Sequence, residues 1–95
     1  MELRYRPKFR RDLLHLKGKA EINERVYSII KQIKKAGSIA EIPGYKALDA
    51  YETRFRIKIK ISAKEDYRLG FILKGGTLWA ERILSRSDFY KFYRR

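Results

Sequence analysis

From Arg54 to Ile61 apolar and basic residues alternate without a break, with Phe55, Ile57, Ile59 and Ile61 on one side and Arg54, Arg56, Lys58 and Lys60 on the other. Period two is the mark of a strand with one buried face. A second strand follows Ala63-Lys64-Glu65-Asp66. It puts Tyr67, Leu69, Phe71 and Leu73 on one face and Arg68, Gly70, Ile72 and Lys74 on the other. Gly75-Gly76 turns the chain again. The stretch from Thr77 to Leu84 is apolar on both faces apart from Glu81 and Arg82, as a central strand requires. Residues directly opposite in an antiparallel pair share a face, so the residue numbers of each pair must sum to an even value. Ile61 with Tyr67 and Lys60 with Arg68 satisfy this, with a five-residue loop from Ser62 to Asp66. The basic rows of the two strands then coincide.

Ahead of the strands the period changes. Leu3 and Tyr5 alternate with Glu2, Arg4 and Arg6 as a short strand, and Pro7 suits the first position of a helix. Phe9, Leu13 and Leu16 recur at helical spacing until Gly18. Ile22, Val26, Ile29 and Ile33 build a second helix with Lys31, Lys34 and Lys35 near its end and Gly37 at its stop. Pro43-Gly44 fits the central pair of a type II turn, which makes residues 38–47 a connector. At the C-terminus Ser87 is a suitable helix cap with Asp88 in the first turn. Phe89, Phe92 and Tyr93 share a stripe, while Tyr90 lies about 100° off it and is free to aim its hydroxyl elsewhere. The pattern predicts an α+β fold: an N-terminal strand, a two-helix hairpin, an antiparallel sheet of three further strands and a short C-terminal helix. One sheet face lies under the two helices and the other is an open trough lined by Arg54, Arg56, Lys58, Lys60, Arg68 and Lys74.

The 95 residues allow one domain, 1–95, with one core. Cysteine is absent and His15 is the single histidine, which removes disulfide frameworks and thiolate metal sites and leaves no pattern for zinc. No apolar run approaches a membrane span and Met1–Arg10 lacks the apolar stretch of a secretory signal, so a cytoplasmic protein without a membrane partner is expected. Charge changes the picture most. Lys plus Arg number 24 against 11 Asp plus Glu, a formal net charge of +13. A polyanion is the natural partner. A basic row is often only the wet face of an ordinary strand, but two neighbouring strands share this one and no acidic residue interrupts it. Arg68 beside the Lys58 and Lys60 row is destabilising unless something anionic sits between them, and a phosphate would suit.

The ordered set Phe55-Arg56-Ile57-Lys58, Tyr67-Arg68-Leu69 and Arg82-Ile83-Leu84-Ser85-Arg86-Ser87-Asp88-Phe89-Tyr90 resembles the RelE/ParE family of toxins, in particular the final Arg followed four residues later by Tyr. Pro43-Gly44-Tyr45-Lys46-Ala47-Leu48 resembles the connector leading into that family's second strand, so the likeness covers nearly the whole chain. The resemblance implies the toxin of a type II toxin–antitoxin system, a metal-free, cofactor-free endoribonuclease that cuts mRNA on the ribosome by attack of the 2′-hydroxyl on the adjacent phosphate. It implies Lys58, Arg68, Arg86 and Tyr90 as catalytic residues, with Arg56 binding phosphate; the rest of the basic face, Arg54, Lys60 and Lys74, together with Arg82, is expected to hold RNA. It also implies a cognate antitoxin that covers the basic face.

Such a reaction needs a proton acceptor and cations around the phosphate. His15 lies on the first helix, far from the basic face. Crowding by Arg56, Lys60 and Arg68 should favour a neutral amine at Lys58, whereas Arg56 stays protonated. The segment between Lys58 and Arg68 is longer than the family pattern, so either Lys58 or Lys60 can be the matching lysine. Alternation does not decide the face of Arg82. Two other functions fit the same fold: ParE-like inhibition of DNA gyrase, and RNA binding without cleavage.

Overall fold

The computed structural model describes residues 1–50 and 53–93. Its elements are β1 (Leu3–Tyr5), α1 (Pro7–His15), α2 (Ala20–Lys35), a 3-10 turn (Ile39–Glu41), β2 (Tyr45–Ala47), β3 (Arg54–Lys60), β4 (Asp66–Lys74), β5 (Thr77–Ser85) and α3 (Arg86–Tyr93). They form an α+β fold on a five-stranded sheet of order β1-β5-β4-β3-β2. β1 runs parallel to β5 and the other pairs are antiparallel.

Each boundary has a local cause. Pro7 opens α1, where its missing N–H costs nothing. The chain's own ammonium group, at Met1, donates to the carbonyls of Lys34 and Ala36 at 3.1 and 2.8 Å, placing a cation on the negative end of α2. Gly44 has φ 85° in the turn that Tyr45 N closes on Ile42 O at 3.2 Å. Gly75 and Gly76, with φ 59° and 79°, make the two-residue link between Lys74 and Thr77. The connector of the sequence analysis carries a short additional strand, β2, paired with Phe55–Ile57. Three residues are too few to show a period, so the pattern could not reveal it. The C-terminal helix starts two residues early: Ser85 Oγ accepts the Asp88 N–H at 3.4 Å, so Ser85, not Ser87, takes the cap position.

The even-sum rule holds and the offset differs. Lys58 stands opposite Arg68 and Lys60 opposite Asp66, two residues away from the expected pairing. The loop is still five residues, now 61–65, closed by Ile61 N on Glu65 O at 2.8 Å. Phe55, Ile57 and Ile59 of β3, Leu69 and Phe71 of β4 and Leu78, Ala80 and Ile83 of β5 pack against Phe9 and Leu16 from α1 and its following turn and Ile22, Val26 and Ile33 of α2. Each such side chain contributes about 1.5–3 kcal/mol on burial.

The other face is not open along its length. α3 folds back over it, and Phe89 is fully buried there, outside the main cluster. The slot it fills is Gly70, flanked across the sheet by Arg56 on β3 and Arg82 on β5. A Cβ at Gly70 would overlap the Tyr93 hydroxyl and come within 2.9 Å of Phe89. Glycine permits this close approach of helix to strand. Among the described residues no helix is long and apolar enough to cross a membrane.

Candidate anion site on the sheet face

α3 divides the basic face into two flanks. On one side lie Arg56, Lys58, Arg68, Arg86 and Tyr90. Arg68 is cross-strand from Lys58 and Arg56 is two residues along β3, so all three side chains leave the same face. Tyr90, off the packing stripe of Phe89 and Tyr93, sits beside the guanidinium groups of Arg68 and Arg56. Burial alone would raise its phenol pKa, but the hydrogen bonding and charge of those two arginines outweigh it and the pKa is lowered. Arg86, Tyr90, Asp66 and Lys64 line a groove of about 420 Å³ at this end of the sheet. The helix that covers the centre of the face thereby brings Arg86 and Tyr90 to the strand cations.

The two arginines are held in similar ways. Arg56 Nη1 donates to Gly44 O at 2.9 Å, and Arg68 Nη1 donates to Asp66 Oδ1 and, at 3.3 Å, to Tyr67 O. In each the Nε is buried with no hydrogen-bond partner among the described residues. A guanidinium offers five N–H donors, and a buried donor left unused costs about 1–3 kcal/mol. Two anchored guanidinium groups beside a phenol concentrate positive charge suited to an oxyanion.

The rest of the basic row is dispersed or neutralised. Arg54 is paired with Glu81 at 3.4 Å. Arg82, whose face alternation left open, is bound at 2.8 and 2.9 Å by both carboxylate oxygens of Asp12 on α1, so both ends of its fork are spent. Asp12 also accepts the Ile83 N–H at 3.0 Å, beside β5 where β1 has ended. Arg82 is thus a structural ion pair rather than a free cation. Lys74 lies at the far hairpin, six residues and about 20 Å along β4 from Arg68. Lys60 faces Asp66, and exposed Lys58 faces Arg68, whose charge Asp66 offsets. The expectation of a face without carboxylates is corrected: Asp66 and Glu81 reach it from β4 and β5 and Asp12 from α1. Alternation counted residues along strands and could not see a carboxylate brought in from a helix.

Three positions that shape the site escaped the sequence analysis. Gly70 seats α3, and a lone glycine inside a strand is the available signal for such an approach. Asp66 was read as a loop residue; it begins β4 and shares a face with Arg68. Asp12 had no local signal at all. His15 is exposed at the end of α1, as expected, and does not line the groove. Among the described residues no group of three or more His, Cys, Asp or Glu gathers as a metal site would require.

No protein-family model matches the chain. Among curated proteins it is similar to Toxin RelE3 of Methanocaldococcus jannaschii, 26% identical over 94 residues, 98% of this chain and 99% of that one. Among solved structures it resembles a chain of the RelB-RelE antitoxin-toxin complex from Methanococcus jannaschii, with a TM-score of 0.75, 23% identity and coverage of 95% and 98% of the two chains. YafQ from E. coli strain BL21(DE3) matches with a TM-score of 0.67 and 14% identity over 94% and 97%. The fold is the one these toxins share.

Proposed function

We propose that this RelE-like chain is the toxin of a type II toxin–antitoxin system and acts as a ribosome-dependent endoribonuclease on mRNA. The observation that carries the reading is the convergence of Arg56 and Arg68, each anchored and each with an unused buried donor, on Tyr90, with Lys58 and Arg86 at the margins. A substrate phosphate between them meets fixed cations before reaction begins, which is where electrostatic catalysis is most effective. The 2′-oxygen of the preceding ribose attacks the phosphorus and its proton leaves to a base. The bond to the 5′-oxygen breaks, that oxygen is protonated, and a 2′,3′-cyclic phosphate and a 5′-hydroxyl remain. Arg56, Arg68 and Arg86 stabilise the charge on the five-coordinate phosphorus, Tyr90 packs beside the reacting nucleotide, and Lys58 serves the scissile phosphate.

The net charge of +13 supports a cognate antitoxin as partner, an acidic segment that orders on binding and covers the same face. The nuclease reading implies a cytoplasmic setting, where mRNA and ribosomes are found. The test is induction in a host followed by mapping of mRNA 5′ ends. New ends within translated codons, absent from the Arg68→Ala strain and suppressed by the neighbouring small open reading frame, support the proposal. Intact mRNA with a DNA-damage response points to gyrase inhibition and overturns it. Purified ribosomes carrying labelled mRNA give the same answer in vitro through the cyclic-phosphate end.

A further inference from the structure

Among the described residues, Asp66 is the only carboxylate lining the groove that Arg86 and Tyr90 share. It begins β4, two residues before Arg68 on the same face, so period two alone delivers its carboxylate to the guanidinium. The Arg68 side chain is 5% exposed and that of Asp66 17%. A guanidinium so enclosed, opposite a lysine and near Arg56, would be expelled or would turn away unless an anion held it. Asp66 and the Tyr67 carbonyl both grip Nη1, which leaves the Nε side of the fork without a partner among the described residues. A planar group held at one corner has its orientation defined, because its remaining donors lie in the same plane at fixed angles.

We propose that Asp66 is a positioning residue for the cleavage proposed above, holding Arg68 by Nη1 so that its other donors face the scissile phosphate beside Tyr90. This rests on the nuclease reading and names a residue whose carboxylate never needs to touch RNA. Its charge has a second consequence. Half-neutralising Arg68 limits how tightly the ground-state phosphate is held, while leaving the oriented donors for the charge that develops in the transition state. Binding energy is then expressed in kcat more than in KM.

The experiment is single-turnover and steady-state cutting of ribosome-bound mRNA by wild type, Asp66→Glu, Asp66→Asn, Arg68→Ala and the double variant Asp66→Asn/Arg68→Ala, each checked for its melting temperature. Asp66→Glu keeps the charge and moves the carboxylate by one methylene, so it should fold and lose roughly tenfold to a hundredfold in kcat with KM little changed, the size of effect expected from misplacing a catalytic group by about 1 Å. Asp66→Asn should lose at least as much kcat, again without a rise in KM, and the double variant should cut no worse than Arg68→Ala alone. Wild-type kcat in Asp66→Glu, a loss confined to KM, or losses that multiply in the double variant would each overturn the positioning role while leaving the nuclease intact. Wild-type protein that leaves ribosome-bound mRNA uncut sinks the nuclease reading itself, and the positioning role with it.

Discussion

The two flanks of α3 start from the same raw material and end differently. On the Tyr93 side, Arg54 is matched by Glu81 and Arg82 by Asp12, and the Tyr93 hydroxyl itself donates to Glu81 at 3.0 Å. On the Tyr90 side Arg56, Lys58, Arg68 and Arg86 have one carboxylate, Asp66, in ion-pair contact among the described residues. Both flanks carry arginines on the same sheet face, separated only by the glycine slot at position 70. A cation therefore signals function through what its remaining donors are doing. Arg82 has spent its fork on Asp12, whereas Arg56 and Arg68 are each tethered through Nη1 and turn the rest of their charge toward Tyr90.

The largest effect should come from breaking the spent side. Asp12→Ala strands Arg82 and the Ile83 N–H, and removing one partner of so enclosed a pair should cost about 3–5 kcal/mol in urea or thermal unfolding. Cutting per folded molecule should be little changed; a loss of kcat in molecules shown to be folded would mean that Arg82 acts in the site after all. The reserve side should answer in the opposite sense. Arg68→Ala and Arg56→Ala should lower cutting about 10²- to 10³-fold, as deletion of a fixed oxyanion donor does. Stability should fall by less than in Asp12→Ala, since each arginine is tied through a single nitrogen and its Nε has no partner to lose.

Gly70→Ala tests the divider. The new methyl meets Tyr93 and Phe89, and overpacking of this kind costs about 1–3 kcal/mol. α3 should loosen, seen as faster amide exchange across Arg86–Tyr93, and cutting should drop because Tyr90 and Arg86 travel with the helix. Unaltered exchange would show that α3 is not seated on Gly70.

The smallest effect is the most direct comparison of the flanks. Burial and the Glu81 carboxylate push the Tyr93 phenol above its ordinary range, whereas Arg68 and Arg56 overcome burial and hold Tyr90 below it. For Tyr93 the folded pKa is the higher one, so its contribution to stability is present in full below the unfolded value of about 10 and is lost as pH rises from there through the folded value. For Tyr90 the folded pKa is the lower one, so its contribution is present above about 10 and is lost as pH falls through the folded value. Phenolate absorbance in alkali should show one early-titrating tyrosine that disappears in Tyr90→Phe and reverts to the ordinary range in Arg68→Ala. Loss of the early step in Tyr93→Phe instead would reverse the assignment.

Alternation by itself determined the strands β3, β4 and β5, the buried faces of α1 and α2, and the even parity that puts Arg56, Lys58 and Arg68 on one side. These are consequences of backbone geometry repeated every two or 3.6 residues, so a single chain segment carries the information. Parity fixes the face and leaves the offset open. Lys58 rather than Lys60 meets Arg68 because the loop closes between Ile61 and Glu65, a local hydrogen bond that residue types did not announce. Only the tertiary structure decided which cations are free. Asp12 reaches Arg82 across seventy positions of sequence, and α3 returns over Gly70 to set Tyr90 among the arginines. Ion pairing depends on distance in space, and no periodicity along the chain encodes where a helix will lay its carboxylate.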